Sequence, residues 1–367
     1  MDKFEILKKL VSFRTDGNEQ NINECLKYVE KVFNNYGWKT ELIKNNEDNK
    51  LNLVAVLNGE LENITDGLLL AGHIDTVQTN LQAWTSNPFD VTKIEDNLYG
   101  LGIADMKSFT AAIISNLEEI KKLKLKKPLI FTLTNDEETV MYSINRVVEY
   151  FKTKNIRPSF SIIGEPSSMI ASNSNKGFYE FETIINGVAC HSSNPQLGTN
   201  AIYIMSKFIT FLENLSKQFK STTINVGLIN GGRMCNIVAD KCDIRWDVRT
   251  ASRNDLKQIT EKAKEFLMNL MMDYKNATFS NEIVFQIPVF EKRDNEISDM
   301  ILEKNSLEER PYAASTEAGF YQELGIDCMV FGCGDIEDAH AINEKININK
   351  YSDYCDLMLS FIRDICC

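Results

Sequence analysis

Residues 67–107 read GLLLAGHIDTVQTNLQAWTSNPFDVTKIEDNLYGLGIADMK, and this stretch decides how the remaining chain is read. Leu68–Ala71 is a short apolar run closed by Gly72, which suits a strand buried on both faces. His73 follows at once, and Asp75 stands two positions later. A histidine at the mouth of a buried strand is a ready metal ligand. A carboxylate at i+2 can accept from the other ring N–H and fix the tautomer. Asp105 comes after the Gly100-Leu101-Gly102 turn and opens a helical spacing of apolar residues (Met106, Ala111, Ile114, Leu117). His73 and Asp105 therefore make a founding pair for a two-metal hydrolytic site.

The bulk composition narrows the function classes. The 367 residues suffice for two domains, and 43% hydrophobic with 25% charged residues is the balance of an ordinary globular protein. A net charge of −12 argues against nucleic acid or an anionic membrane as partner, since both demand a basic face. The opening MDKFEILKKLVSF is too charged for a signal peptide, and no apolar run reaches membrane-spanning length, so a cytoplasmic protein is expected. The nine cysteines are scattered without Cys-x-x-Cys spacing, which points to small buried hydrophobes rather than a thiolate zinc site or a disulfide framework.

Away from the opening stretch, strands and helices alternate. Helical spacing covers 2–13 and about 21–36, with Asn21 and Asn23 as candidate caps. Strands are expected at Leu51–Leu57, Leu129–Thr134 and Ser159–Gly164, and helices at Asp105–Leu123 and Glu138–Phe151. The order implies an α/β domain with a mostly parallel, helix-covered sheet, whose ligands gather at the carboxyl ends of the strands. Asp136-Glu137-Glu138 directly follows one strand and Glu165 another, while His340 comes after the strand-like Cys328–Phe331.

From about Asn173 to Gln286 the pattern becomes β-α-β-β-α-β. Its strands are Phe178–Ile185, Thr223–Ile229, Asp240–Val248 and Ile283–Pro288, and its amphipathic helices Ala201–Phe219 and Leu256–Met271. Asn186-Gly187 is a hairpin-like turn signal. This reads as an inserted α+β lid or dimerisation domain, 173–286, within a catalytic domain formed by 1–172 and 287–367.

Zinc takes imidazole nitrogen and carboxylate oxygen, and two ions about 3.5–4 Å apart can share a bridging carboxylate and a water. His73, His340, Asp105, Glu138 and Glu165 supply one bridging group and two further ligands for each ion. Glu137, beside a ligand but free of the metal, suits a general base. Each piece also has a plainer reading: a histidine after a strand can be a satisfied polar group, and paired glutamates can serve a helix dipole. Gly100-x-Gly102 is not a dinucleotide fingerprint, because Asp105 stands where a third glycine belongs and would repel a pyrophosphate.

The chain resembles the di-zinc aminoacylase and exopeptidase family that includes acetylornithine deacetylase and succinyl-diaminopimelate desuccinylase. The resemblance spans essentially the whole length. It is carried by Gly72-His-Ile-Asp-Thr-Val, Trp84…Pro88-Phe89, Tyr99-Gly…Asp105-Met-Lys, Asp136-Glu-Glu-Thr, Gly164-Glu-Pro-Ser and Ala339-His…Asn343-Glu. It implies that His73 and Glu165 hold one zinc, that Glu138 and His340 hold the other, and that Asp105 bridges them. Cobalt or manganese could replace zinc. It further implies that Asp75 orients His73 and that Glu137 is the base. His191, in Ala189-Cys-His191-Ser-Ser, would stabilise the oxyanion in a neighbouring subunit's site, which implies a homodimer. Asn236 and Arg249 would hold the substrate carboxylate, a task suited to the bidentate guanidinium.

Two positions depart from the family pattern: Leu101 replaces the arginine of Gly-Arg-Gly, and Ser108 replaces the glycine after Asp-Met-Lys. Ser315-Thr-Glu-Ala-Gly-Phe320 resembles the acetylornithine deacetylases more than the desuccinylases, and Glu317 could pair with an ornithine-like ammonium. The expected activity is hydrolysis of a small N-acyl amino acid, N-acetylornithine in arginine biosynthesis foremost. The alternatives are a desuccinylase, a di- or tripeptidase, or a metal-free binding relative.

Overall fold

The computed structural model describes residues 2–367. In chain order the strands are β1 (Lys39–Lys44), β2 (Leu51–Leu57), β3 (Leu68–His73), β4 (Thr92–Ile94), β5 (Asn97–Tyr99), β6 (Leu129–Thr134), β7 (Phe160–Ile163), β8 (Gly177–Asn186), β9 (Thr223–Gly231), β10 (Lys241–Thr250), β11 (Thr278–Ile287), β12 (Asp327–Val330) and β13 (Lys345–Asn347). The α-helices are α1 (Lys3–Ser12), α2 (Glu19–Asn35), α3 (Ser108–Ser115), α4 (Leu117–Lys122), α5 (Tyr142–Lys154), α6 (Ala201–Ser216), α7 (Arg253–Asp273), α8 (Glu296–Asn305), α9 (Ala318–Glu323) and α10 (Ile348–Cys366). No helix among the described residues is long and apolar enough to cross a membrane.

Two compact units emerge. The first is Met1–Asn173, Lys292–Tyr312 and Thr316–Cys367; the second is Ser174–Glu291 with Ala313–Ser315. The return to the first unit comes at Lys292, a little beyond the expected 287, because Phe290 still bridges Asn175 past the end of β11. Asn173 and Lys292, on either side of Ser174–Glu291, both bind the Glu309 carboxylate.

The first unit is built on a six-stranded sheet ordered β1-β2-β6-β3-β7-β12. β6, β3, β7 and β12 are mutually parallel, while β2 and β1 run antiparallel at one edge. β3, β6 and β7 are buried at every position, which is why they read as continuous apolar runs. Leu129, Phe131 and Leu133 of β6 join the core formed with α1, α2, α3 and α10. On the opposite face Thr132 meets the Tyr321 hydroxyl of α9 at 2.9 Å. Helices thus cover both faces, and the parallel strands end along one edge.

Three local expectations are corrected. α2 begins earlier than expected, because Asn18 is its cap and accepts from the Asn21 amide; Asn23 instead accepts from Leu51 and ties the helix to β2. The expected helix 105–123 does not start at Asp105. Gly102 is left-handed, Asp105 and Met106 are non-helical, their shared peptide bond is cis, and regular helix begins at Ser108 and breaks at Asn116. At Gly102 only glycine fits, since a Cβ would also run into Thr76. The helix expected from Glu138 starts at Tyr142, because the Asp136 carboxylate accepts the Tyr142 and Ser143 amides across an intervening turn.

The second unit is an antiparallel sheet ordered β11-β8-β10-β9, covered on one face by α6 and α7. β8 alternates buried and part-buried residues, as a one-sided sheet requires. Trp246 stacks on Phe181 with centroids 4.2 Å apart at its centre. Asn186-Gly187 is not a hairpin: β8 pairs with β10 and β11, and the Gly187 amide donates to Asp240. β9 is an edge, with Leu228 and Ile229 exposed, as are Tyr203 of α6 and Met234.

Candidate active site

The carboxyl ends of the parallel strands converge on one cluster. His73 is the last residue of β3; Asp136, Glu137 and Glu138 follow β6, and Glu165 follows β7. Asp105 enters from the irregular turn before α3, and His340 from the segment before β13, where its backbone is left-handed (φ 60°).

The Asp105 carboxylate lies between the two imidazoles. Its Oδ1 is 3.1 Å from His73 Nε2, and its Oδ2 is 3.3 Å from His340 Nε2. His340 Nε2 is also 2.8 Å from Glu138 Oε2, and His73 Nε2 is 3.8 Å from Glu165 Oε1. Two overlapping groups have ligand atoms close enough to share an ion: His73, Glu137 and Glu165, and His73, Asp105 and Glu138.

Asp75 meets His73 through two of its groups. His73 Nδ1 lies 3.1 Å from the Asp75 main-chain carbonyl and 3.5 Å from the carboxylate. The carboxylate itself accepts the amides of Glu137 at 3.2 Å and Glu138 at 3.0 Å. Asp75 thus contacts the His73 ring through both its main-chain carbonyl and its carboxylate, and the same carboxylate holds the amides of the glutamate pair. The turn is braced further by a ring of buried asparagines. Asn45 donates to Asn135, Asn135 to Asn52 and Asn52 to Asn45, at 3.3, 2.7 and 2.8 Å.

The electrostatics are those of crowded charges, buried or part-buried except at His340. Burial raises Glu137 and Glu165 well above the ordinary carboxylate value, and neighbouring carboxylates push the same way against His73. Burial alone would raise Asp105, but hydrogen bonds from His340 and His73 hold it well below. His340 is pushed up to about 10 by its bonds to Asp105 and Glu138. His73 is also raised, because Asp105 and Asp75 outweigh a burial that opposes the charged ring.

The residues fit a metal pair. The buried Oε1 of Glu165 has no hydrogen-bond partner, an orphan that a cation would satisfy. Imidazole and carboxylate are the donors zinc accepts, and ligand atoms about 2.1 Å from one ion stand about 3.4 Å apart. The His73–Asp105, His340–Asp105 and His340–Glu138 separations of 3.1, 3.3 and 2.8 Å are in that range.

The other expected residues divide in two. His191, Asn236 and Arg249 belong to the second unit. His191 is exposed and bridges Ile237, and Ser192 donates to the Asn236 carbonyl. The Ser193 amide donates to His191 Nδ1 at 3.2 Å, which leaves Nε2 to carry the proton in the neutral ring. Arg249 lies 3.7 Å over the Phe178 ring, with Asp247 at 3.5 Å.

Glu317 departs from its expected role. It is 1% exposed; its Oε1 accepts from Thr134 at 2.6 Å, and burial pushes it up to about 8. A group so enclosed offers no open face to a substrate ammonium. Reading by sequence missed two buried partners of the metal loop: Lys107, whose ammonium donates to the Phe13 carbonyl, and Glu344. A charged residue inside an apolar pattern was the available signal for Lys107. Glu344 had none beyond its place in the Asn343-Glu motif.

Residues 69–364 match the profile described as "Peptidase family M20/M25/M40". The chain is similar to an acetylornithine deacetylase of Proteus mirabilis, 35% identical over 86% of this chain and 83% of that protein. It is also similar to one of Yersinia pseudotuberculosis, at 36% over 82% and 79%. Among solved structures it resembles aminopeptidase PepT of Bacillus cereus (TM-score 0.74, 19% identity, 100% and 99% covered). It also resembles the Bacillus subtilis YXEP protein, a dinuclear metal-binding peptidase (TM-score 0.66, 16% identity, 99% of each chain). By its profile match and its relatives a hydrolase, the chain belongs to peptidase family M20/M25/M40.

Proposed function

We propose that this hydrolase cleaves the amide of a small N-acyl amino acid, with N-acetylornithine as the first substrate to test, and that it does so with two zinc ions. The observation that carries the reading is Asp105, whose two oxygens each face a different histidine. The named deacetylase relatives, at 35% and 36% identity over most of the chain, support the choice of substrate.

In this reading His73 and Glu165 hold one ion, His340 and Glu138 the other, and Asp105 both. When bound, such a pair supplies Lewis-acid polarisation of the amide carbonyl and lowers the pKa of a water. Glu137 receives the proton of the attacking water and delivers it to the leaving nitrogen. Burial and the neighbouring carboxylates raise its affinity for a proton, which favours the uptake step. Asp75 keeps Nδ1 of His73 protonated, so that Nε2 presents its lone pair to the cluster.

His191 offers Nε2–H, the donor an oxyanion needs, and Arg249 a guanidinium for the substrate carboxylate with Asn236 as its polar companion. We further infer a homodimer through the second unit. The exposed β9 edge and the apolar Tyr203, Leu228, Ile229 and Met234 support it, since such an edge seeks cover.

The test pairs metal analysis of the purified protein with hydrolysis of N-acetylornithine, N-succinyl-diaminopimelate and simple dipeptides. Two zinc ions per chain and highest kcat/KM on N-acetylornithine are expected. Preference for a dipeptide or the succinyl substrate overturns the substrate reading, and absence of bound metal with absence of hydrolysis overturns the whole. Light scattering that finds a monomer at full activity overturns the dimer.

A further inference from the structure

Glu344 is 1% exposed, yet its carboxylate is occupied entirely by main-chain donors of one distant turn. Oε2 accepts from the Gly102 amide at 2.7 Å. Oε1 accepts from Ala104 at 2.7 Å and Asp105 at 3.0 Å. The Glu344 carbonyl accepts from Gly100 at 3.0 Å, and the next residues pair in register with β5, Lys345 opposite Tyr99 and Ile346 opposite Leu98.

The turn has a physical need for this. Gly102 is left-handed, and Asp105 and Met106 depart from helical dihedrals, so the turn cannot satisfy its own amides as a helix would. Its residues are buried, which denies them water. An acceptor brought from elsewhere must close these donors. A carboxylate with two oxygens can close several at once, by the stronger charge-assisted bonds. An apolar side chain of equal size would leave all of them unpaired.

We propose that Glu344 is a positioning residue of the metal centre: it holds the Gly102–Asp105 backbone so that the Asp105 carboxylate turns one oxygen to each histidine. The inference rests on the metal-centre reading above. It carries a corollary for the second ion. The segment that ends in Glu344 also bears His340, and between them Asn343 is anchored by the Thr85 amide at 2.9 Å and hydroxyl at 3.0 Å. One short segment therefore both presents a ligand and braces the carboxylate that this ligand meets at 3.3 Å. Removing the brace disturbs the bridging group without touching a metal ligand.

The test is zinc affinity, measured by chelator competition on the full chain for the wild type, Asp105→Asn and Glu344→Gln. Asp105→Asn controls for the reading itself: if it binds zinc as the wild type does, the metal-centre assignment falls whatever Glu344 does. With that control behaving as expected, Glu344→Gln, which keeps the size but turns an NH2 toward a backbone donor, should weaken zinc binding roughly ten- to hundredfold. Saturating zinc should restore kcat with KM unchanged, a rescue that a merely structural defect would not show. A folded Glu344→Gln protein with wild-type zinc affinity overturns the proposal. Should that variant not fold, Glu344→Asp, which keeps the charge but draws the oxygens back, takes its place with the same two outcomes. Hydrogen exchange on metal-free wild type is independent of any variant. The Gly102, Ala104 and Asp105 amides should be protected before metal is added, and free exchange at all of them overturns the proposal.

Discussion

His73 and His340 share the carboxylate of Asp105, one imidazole to each oxygen, at 3.1 and 3.3 Å. The two histidines lie far apart in the chain, one at the end of a buried strand and the other in a left-handed turn. A single side chain is the hinge of the site, and the consequences of altering it differ from those of altering its neighbours.

Asp105→Asn keeps the shape of the group and removes the charge. Both ions lose a ligand, so retained zinc should fall below one per chain after dialysis, measured by elemental analysis, and hydrolysis should fall with it. Two retained ions would remove Asp105 from the bridging position.

Glu137→Gln should separate binding from chemistry. The variant is expected to retain both ions and to lose a factor of about 10²–10⁴ in kcat, the usual worth of a general base. Loss of an ion instead would make Glu137 a ligand, as its grouping with His73 and Glu165 permits.

Metal binding should expel protons. Without metal, His340 is raised to about 10, and His73 and the carboxyl of Glu165 also stand above their ordinary values. All must release protons to ligate, so apparent affinity should rise with pH through the neutral range. Calorimetry in buffers of different ionisation enthalpy counts the protons, with roughly one or more expected per ion.

The Asn45–Asn52–Asn135 ring supports the turn that carries Glu137 and Glu138. Asn52→Ala leaves buried amide groups of the other two unpaired, and a loss of about 1–3 kcal/mol is expected in urea melts. A stability equal to wild type would mean that the ring is replaceable by water.

Glu317 has a stability signature. Its folded-state value of about 8 stands above the ordinary 4.5, so the folded chain holds a proton that the unfolded chain releases. That contribution is complete below about 4.5 and is lost as pH rises toward 8. Glu317→Gln should therefore raise the melting temperature more at pH 8 than at pH 5. An equal shift at both would place the proton elsewhere.

Much of this arrangement could be read from the sequence because ligand and strand are adjacent. β3, β6 and β7 are buried on both faces, so each is a continuous apolar run, and the residue that emerges next is chemically conspicuous: His73, Asp136-Glu137-Glu138, Glu165. Periodicity also marked the second unit, whose sheet is wet on one side. Features that depend on distant partners were hidden. Asp105 follows a helix-like spacing, but its turn is shaped by Glu344, 239 positions away. Glu317 looks like a polar helix start until α9 is packed against the sheet, where Thr134 claims it. Asp136 reads as one more acid in a row, and only the fold shows it capping α5 and so delaying that helix.

Asn173 and Lys292, which flank Ser174–Glu291, share the Glu309 carboxylate, so that long insertion begins and ends at one residue of the first unit. A segment whose two ends are pinned to one carboxylate can lengthen or shorten between them without pulling on the ends of β3, β6 and β7.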